Sequence, residues 1–385
     1  MTNFNESPDE RRELRRRLVE LTKELILFPS THSRPSDRHR CADFIKYHLE
    51  DLDGVTIRDQ EGESDYPYFV ALPESAPSPD VLICAHLDVI EHPHLEAYYP
   101  KESDGRIIGP GAGDMKGPLA ICVELFRRLH QRQPGISLGL AVTSDEEIGG
   151  HHGIRRIFGE DGQRCGLAMI PDGGSPDELT VEEKGILHAE VVVRTGGESS
   201  HASRPWLAKN AVHRLVGVLS KIHEHFGTLA HEENRWYPTC SMTVVNTPNR
   251  TINRIPSEAR AQMDVRFPPP HSAASMVKEI EDVLADESGN EFEVSLRELI
   301  SAEPTTLSPD PRFREIAEEV RGQPISLVRE SGGSDARFVC PYGIPVIMSR
   351  PTMGRIHSED EWIQIDSMLE FYTIYERYLT EKLSG

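Results

Sequence analysis

The 385-residue chain lacks the sequence features of a membrane-spanning, secreted or disulfide-linked protein. No stretch approaches the ~18 consecutive uncharged apolar residues that suggest a transmembrane helix. The polar, charged N-terminus has no apolar core of the kind found in signal peptides. The six cysteines are widely spaced and form no C-x-x-C motif, which favours buried thiols over a disulfide framework. We therefore expect a cytoplasmic protein.

Positive charge is also scarce in this chain. The 42 Lys and Arg residues are outnumbered by 63 Asp and Glu residues, which gives a formal net charge of −21. A surface of this sign repels nucleic acids and anionic membranes, so we expect neither as a partner. Hydrophobic residues make up 37% of the chain, which is enough for real cores, and a chain of this length usually forms two domains.

Short apolar runs alternate with helical patterns in the first part of the chain. Residues 80–90, 137–144 and 166–171 are dense in apolar side chains, which is typical of strands buried on both faces. Leucines at helical spacing predict a helix over residues 11–28, and a long helix is predicted over 365–383. Strands that alternate with helices predict an α/β fold with a mostly parallel sheet flanked by helices.

The pattern changes in the middle of the chain. Residues 188–195 alternate between apolar and polar side chains, as expected of a strand with one solvated face. The following patterns predict a β-α-β-β-α order, which indicates a small α+β, ferredoxin-like sandwich. We interpret residues 185–301 as a domain inserted into a first domain formed by residues 1–184 and 302–385.

Residues that can bind a metal ion follow the predicted buried strands. Each of the three apolar runs leads into imidazole or carboxylate side chains, namely His86 and Asp88, Glu146 and Glu147, and Asp172. In an open α/β sheet, the site lies outside the carboxyl ends of the strands, so distant segments deliver side chains to one place. An imidazole with several carboxylates suits a divalent ion, and zinc is the first choice.

Each of these motifs has an ordinary structural explanation when it is taken alone. H-x-D is commonly a turn, and the acidic run at 145–147 is commonly a solvated loop or helix start. Asp172 precedes two glycines and can be a turn former. The segment GPGAGDMKG (109–117) can be a flexible loop, since it lacks the phosphate-loop signature. Their occurrence together at the ends of three successive strands favours a metal site.

A site with two metal ions requires a bridging carboxylate, terminal ligands for each ion and a carboxylate that remains free to accept a proton. The adjacent Glu146 and Glu147 offer this division of roles, because neighbours in a turn can point in different directions. Asp88 lies two residues after His86 and is placed to hold that imidazole without binding metal itself.

The sequence resembles the zinc-dependent amidohydrolases that include aminoacylase, carboxypeptidase G2, acetylornithine deacetylase and succinyl-diaminopimelate desuccinylase. The resemblance covers nearly the whole chain and rests on nine short motifs in order: HLDV (86–89), GPGAGDMKG (109–117), SDEEIGG (144–150), PDGG (171–174), HAS (201–203), NRIP (253–256), DVR (264–266), GGSD (332–335) and HSEDE (357–361). Three features depart from the family pattern. Leu87 stands in place of the usual threonine, and Asp172 stands where many members have glutamate. Before the glycine-rich loop, where an aromatic residue and a P-F pair are common, the chain has Tyr98, Tyr99 and Pro100.

The resemblance implies a set of five metal ligands. His86 and Asp172 would bind one ion, Glu147 and His357 would bind the other, and Asp114 would bridge the two. The expected cofactors are therefore two divalent metal ions, with zinc as the first choice and cobalt or manganese as alternatives.

The resemblance also implies catalytic and substrate-binding residues. Glu146 would be the general base, and Asp88 would orient His86. His201 would polarise the scissile carbonyl, and Asn253 would assist at the same oxygen. Arg266 would hold the substrate carboxylate.

Two of these expectations have an alternative from the residues alone. Arg266 shares one strand face with Asp264, and a cross-strand ion pair with Asp264 or a neighbouring residue is the alternative role. Gly333 and Ser334, in the GGSD motif, either form a simple turn or shape the floor of the substrate pocket.

The expected function is hydrolysis of the amide bond of an N-acyl amino acid or short peptide with a free carboxylate, as in a deacylase, desuccinylase or carboxypeptidase. A metal-bridged water would attack, and Glu146 would accept its proton. One alternative is a dipeptidase or aminopeptidase, which needs a site for a free amino group. A non-catalytic binding protein is a further alternative, but no expected ligand or base is missing. The family fold implies that the inserted domain is a lid that also dimerises, so we expect a homodimer.

Overall fold

The computed structural model describes residues 7–60, 62, 64–197, 199–230, 235–289 and 291–384. The α-helices of these residues are α1 (Pro8–Ile26), α2 (Pro35–Tyr47), α3 (Gly117–Arg132), α4 (Ile154–Gly159), α5 (Ala211–Thr228), α6 (Ala273–Leu284), α7 (Pro311–Arg321) and α8 (Ile365–Leu383). The β-strands of the same residues are β1 (Val55–Asp59), β2 (Phe69–Pro73), β3 (Val81–His86), β4 (Lys101–Ser103), β5 (Arg106–Ile108), β6 (Leu138–Thr143), β7 (Leu167–Met169), β8 (Glu178–Glu183), β9 (Gly185–Thr195), β10 (Thr239–Asn246), β11 (Glu258–Phe267), β12 (Phe292–Ala302), β13 (Thr305–Thr306), β14 (Ser326–Glu330), β15 (Val346–Ile347), β16 (Met353–Gly354) and β17 (Trp362–Gln364).

The chain forms two compact units. The first unit contains Met1–Val181, Thr306–Val328 and Ser334–Gly385, and the second contains Glu182–Thr305 and Arg329–Gly333. All five predicted metal ligands lie in the first unit, whereas His201, Asn253 and Arg266 lie in the second.

The second unit is larger than the predicted domain of residues 185–301, because it also contains a short segment from near the C-terminal part of the chain. The backbone N–H of Lys184 donates to the carbonyl oxygen of Glu330 at 3.0 Å, and Arg329 forms an ion pair with Glu182 at 2.7 Å. Contacts between segments so far apart leave no local sequence signature, so the sequence pattern placed this segment in the first domain.

The first unit is built on a six-stranded sheet with the order β1-β2-β6-β3-β7-β15. Strands β6, β3, β7 and β15 pair in parallel, whereas β2 is antiparallel to both β6 and β1. The predicted α/β class is confirmed, and the sheet is mixed because two antiparallel strands extend one edge. Strand β1 is largely exposed, and its composition therefore lacks the apolar density that marks the inner strands.

Strand β3 explains how helices cover both faces of this sheet. All six of its residues are buried, as the apolar run predicted. Val81, Ile83 and Ala85 belong to one core, which includes residues of α1, α3 and α8. Leu82 and Cys84 belong to a second core, which includes residues of α4. Because successive side chains of a strand point to opposite faces, each face of β3 is packed under helices.

The second unit contains a four-stranded antiparallel sheet with the order β10-β11-β9-β12. Its chain order, β9-α5-β10-β11-α6-β12, is that of a ferredoxin-like sandwich. In β11, buried residues alternate strictly with partly exposed ones, and the buried residues pack with side chains of α5 and α6. The helices therefore cover one face, and the polar face of β11 carries Asp264 and Arg266.

None of the helices in the described part of the chain combines the length and the hydropathy that crossing a lipid bilayer requires.

Candidate active site and metal centre

Strand β3 ends at His86, which begins the first cluster of polar groups. Its side chain is buried, and its Nε2 atom lies 3.2 Å from Oδ1 of Asp114 and 3.8 Å from Oδ2 of Asp172. His86 is the last residue of a central parallel strand, Asp172 follows the neighbouring β7, and Asp114 lies in the glycine-rich segment before α3. The parallel strands thus bring distant residues to their carboxyl ends, as the sequence predicted.

A second cluster forms around His357. Its Nε2 atom lies 3.2 Å from Oε2 of Glu147 and 3.4 Å from Oδ2 of Asp114. Asp114 therefore directs one carboxylate oxygen to each cluster. Within the group of His86, Asp114 and Asp172, and within that of Asp114, Glu147 and His357, the donor atoms lie within 4.8 Å of one another.

Burial and close contacts shift the pKa values of the groups in these clusters. Burial and the nearby Asp114 charge raise the pKa of Asp172 well above its usual range. Hydrogen bonds to Asp114 and Glu147 raise the pKa of His357 to about 10. Burial opposes ionisation of Asp114, but hydrogen bonds from His357 and His86 outweigh it and hold the pKa of this carboxyl below its usual range. Gathering carboxylates in a buried site costs free energy unless a cation compensates them.

The donor chemistry of the two groups fits divalent metal ions. Each group offers one imidazole nitrogen and two carboxylates, and these are the atoms that bind zinc and related ions in proteins. A carboxylate shared by both groups is the element that a dinuclear site requires.

Glu146 lies next to the clusters but outside both of them. It begins a short 3₁₀ turn, Glu146–Ile148, and burial together with the Asp172 charge raises its pKa well above the usual range. No hydrogen-bonding partner for the Glu146 carboxylate is found within the described part of the chain. Glu147, its neighbour, joins the His357 cluster. Glu147 therefore belongs to a candidate metal-binding group and Glu146 does not, which matches the division of roles that the sequence suggested.

Asp88 connects β3 to this acidic turn. Its carboxylate accepts the backbone N–H of Glu146 at 3.3 Å and that of Glu147 at 3.0 Å. The Nδ1 atom of His86 lies 3.1 Å from the carbonyl oxygen of Asp88 and 3.5 Å from its carboxylate. Asp88 thus contacts His86 as expected, and it also fixes the turn that carries Glu146 and Glu147.

His201 and Asn253 come together within the second unit. Both line an open cavity of about 670 Å³, and the Nδ2 atom of Asn253 lies 3.4 Å from Nε2 of His201. The backbone N–H of Ser203 donates to Nδ1 of His201 at 3.1 Å. Because Nδ1 accepts, a neutral ring carries its proton on Nε2, where it is available to donate. The Asn253 NH₂ group is then a second donor beside Nε2 and not its hydrogen-bond partner.

Arg266 makes the ion pair that the strand pattern offered as an alternative. Its Nε and Nη2 atoms donate to the Asp264 carboxylate at 2.7 and 3.0 Å. This pairing uses one edge of the guanidinium. Within the described part of the chain no acceptor contacts Nη1, so the second edge keeps donors for another carboxylate.

The GGSD motif forms a capped turn. The hydroxyl of Ser334 accepts the backbone N–H of Ala336 at 3.1 Å, whereas Gly333 ends the second unit's short segment. Arg337, in the same turn, donates to the carbonyl oxygen of Gly149 at 2.9 Å. The turn therefore contacts the loop that follows Glu146 and Glu147.

Sequence reasoning missed two residues of this site. Arg350 lies 3.7 Å from Oδ1 of Asp172, and Glu361 accepts hydrogen bonds from the glycine-rich loop that carries Asp114. Glu361 was visible in the HSEDE motif but could not be told from its acidic neighbours. Arg350 follows a buried strand, and nothing in its local pattern marks a contact with a carboxylate.

Comparison with known proteins agrees with this geometry. Residues 82–381 match the sequence profile of peptidase family M20/M25/M40. A succinyl-diaminopimelate desuccinylase from Hahella chejuensis is 26% identical over 387 residues, which cover 95% of this chain and 97% of the relative. A tripeptidase from Staphylococcus aureus has a similar structure, with a TM-score of 0.78 and 17% identity over 96% of this chain and 99% of the other. A metallo-carboxypeptidase from Sulfolobus solfataricus gives a TM-score of 0.74 with 19% identity, covering 95% and 98%.

Proposed function

The chain belongs to peptidase family M20/M25/M40 and is a metal-dependent hydrolase of amide bonds, and we propose that it cleaves an N-acyl amino acid or short peptide with a free carboxylate. The sequence resemblance to this family is thereby confirmed. The relative from Hahella chejuensis is named for removal of a succinyl group, which supports an acyl amino acid as substrate. The tripeptidase and the metallo-carboxypeptidase support a short peptide as the alternative.

The observation that carries this proposal is the pair of metal-binding groups that share Asp114, with the half-buried Glu146 carboxylate beside them. His86 and Asp172 would hold one ion, and Glu147 and His357 the other. We propose zinc for both ions, because the donors are imidazole and carboxylate. Bound ions of this kind polarise a carbonyl and acidify water.

The residues of the chain supply the proton transfers. Glu146 takes a proton on its carboxylate from the attacking water and then gives it to the nitrogen of the leaving amine. Asp88 keeps Glu146 in place through the backbone of the turn. His201 donates from Nε2 to the carbonyl oxygen as negative charge develops there, and Asn253 assists at the same oxygen.

Arg266 would recognise the free carboxylate of the substrate through the guanidinium edge that Asp264 leaves open. Held on one edge by Asp264, the group is already oriented, and its remaining donors match a planar carboxylate. An arginine in this state binds a second anion without losing the first.

The first prediction tests the substrate class. N-acetyl and N-succinyl amino acids and dipeptides are hydrolysed in parallel, each with a free and with an amide-capped carboxylate. We expect hydrolysis of the free acids, and we expect Arg266→Ala to raise KM strongly for these while hardly changing the capped forms. Arg260→Ala, on the same face of β11, is the matched control. Equal damage to free and capped substrates would give Arg266 a structural role, and no turnover of any amide would reject the proposed activity.

We further propose a homodimer in which His201 serves the metal centre of the partner subunit. The family resemblance supports this, since the inserted domain is expected to act as a lid and dimerise. We also propose a cytoplasmic location, because all six cysteines are free.

The second prediction tests the shared site. His201→Ala and Glu146→Ala are each expected to be inactive. Mixed under conditions that exchange subunits, they should regain roughly a quarter of the wild-type rate. About half of a random mixture is mixed dimer, and each mixed dimer has one intact site of two.

Subunit exchange is verified with two distinguishable affinity tags, and each variant mixed with itself is the control. Activity that remains at zero despite complete exchange would contradict the shared site and return His201 to its own subunit.

A further inference from the structure

Glu361 is a buried carboxylate that does not belong to either metal-binding group. It is 2% exposed, and its oxygens accept three backbone N–H groups from one loop. Oε1 accepts from Gly113 at 2.7 Å and from Asp114 at 2.8 Å, and Oε2 accepts from Gly111 at 3.2 Å. In the described part of the chain no Lys, Arg or His side chain lies within ion-pair distance of this carboxylate.

The loop that Glu361 contacts has glycines at positions where a side chain would not fit. Gly111 has a φ of 78°, a left-handed conformation that favours glycine. A Cβ atom on Gly111 would overlap Val89, and one on Gly113 would overlap Met353. The backbone amides of the loop are buried and require acceptors, which would cost free energy if they were left unpaired. The Glu361 carboxylate provides those acceptors.

The backbone of Glu361 is itself held by two hydrogen bonds. Its carbonyl oxygen accepts the backbone N–H of Gly109 at 2.8 Å, and its backbone N–H donates to the carbonyl oxygen of Ser358 at 3.1 Å. His357 lies four residues earlier, and its ring contacts the Asp114 carboxylate. The segment 357–361 therefore touches Asp114 twice, at the side chain through His357 and at the backbone through Glu361.

We propose that Glu361 is a positioning residue that sets the bridging carboxylate between the two metal-binding groups. It does so by holding the peptide of Asp114, so that one oxygen faces each group. The inference rests on the proposed dinuclear centre, and it adds a residue that is not among the proposed metal ligands. A group that orients a ligand in this way typically contributes 10–100-fold to metal affinity.

The variant Glu361→Gln separates this role from simple packing. Glutamine has the same shape, but one of its two ends carries an NH₂ group, which would face a backbone N–H instead of accepting from it. At least one of the three hydrogen bonds is then lost. Because Asp114 serves both groups, both ions should be bound more weakly by the variant.

The experiment loads the full-length protein with zinc and dialyses it against graded chelator, with metal content measured at each step. We expect Glu361→Gln to release both ions at a free chelator concentration that is lower than for the wild type by roughly tenfold or more. The control is Glu359→Gln, because Glu359 is exposed, lies two residues earlier and pairs with His94. It should release zinc as the wild type does. Thermal unfolding of the metal-free proteins shows whether the variants fold alike.

The outcomes are distinct. Wild-type zinc affinity in a folded Glu361→Gln variant would overturn the positioning role while leaving the dinuclear centre intact. A wild-type protein that binds no divalent ion would overturn the centre and the inference with it. If Glu361→Gln does not fold, Glu361→Asp decides in its place: the shorter side chain keeps its charge but loses reach, and unchanged zinc release there would overturn the proposal.

Discussion

Replacing Glu146 with Gln is expected to reduce turnover by ~10²-fold or more while both metal ions remain bound. The amide keeps the shape of the side chain but cannot accept a proton from water. Glu146 belongs to neither metal-binding group, so its substitution leaves the ligands in place. Steady-state rates and metal content are measured on the same preparation.

The matched control is Glu147→Gln, because Glu147 is the adjacent residue of the same type and contacts His357. This variant should lose metal as well as activity. A Glu146→Gln enzyme with near-normal turnover would assign the base to another residue, and one that loses metal would make Glu146 a ligand.

Asp114→Ala is expected to be the most damaging single ligand change. Its two carboxylate oxygens lie in different groups, so one substitution removes a donor from both. Titration of metal into the metal-free variant, followed by calorimetry or by cobalt absorption, should show weakened binding at both sites. Turnover should fall with occupancy.

Two other ligand variants show whether this effect is specific to a shared residue. Asp172 and Glu147 each belong to a single group, so Asp172→Ala and Glu147→Ala should each weaken mainly one ion. If Asp114→Ala lost one ion and retained the other at full affinity, Asp114 would be a terminal ligand.

The fold of the first unit could be predicted where its residues are buried on both faces. Strands β3, β6 and β7 lie within the predicted apolar runs, because a strand packed under helices on both sides needs apolar side chains throughout. Strand β1 was not predicted, since its exposed edge position leaves no such pattern. Helix α1 begins at Pro8, before the predicted residue 11, because Ser7 and Glu10 form a capping box there.

The residues of the candidate site could be predicted from the sequence, but the hydrogen bonds that hold them in place could not. His86, Glu147 and Asp172 follow buried strands, and parallel strands bring their carboxyl ends together. The role of Glu361 depends on backbone N–H groups of a loop about 250 residues earlier, and no local pattern encodes such a contact. Asp88 shows the same limit: its link to His86 was predicted, but its hydrogen bonds to the following acidic turn were not.

The long segment Glu182–Thr305, which forms most of the second unit, begins and ends at neighbouring points of the first unit, since the backbone N–H of Leu307 donates to the carbonyl oxygen of Val181 at 3.0 Å. Adjacent ends of this kind let the segment between them be exchanged without moving the scaffold on either side. The five proposed metal ligands all lie in the scaffold, whereas His201 and Arg266 lie in the segment that would be exchanged. Exchange of this segment during evolution could therefore change which amide substrate is accepted, while the residues proposed to bind the metal ions stay the same.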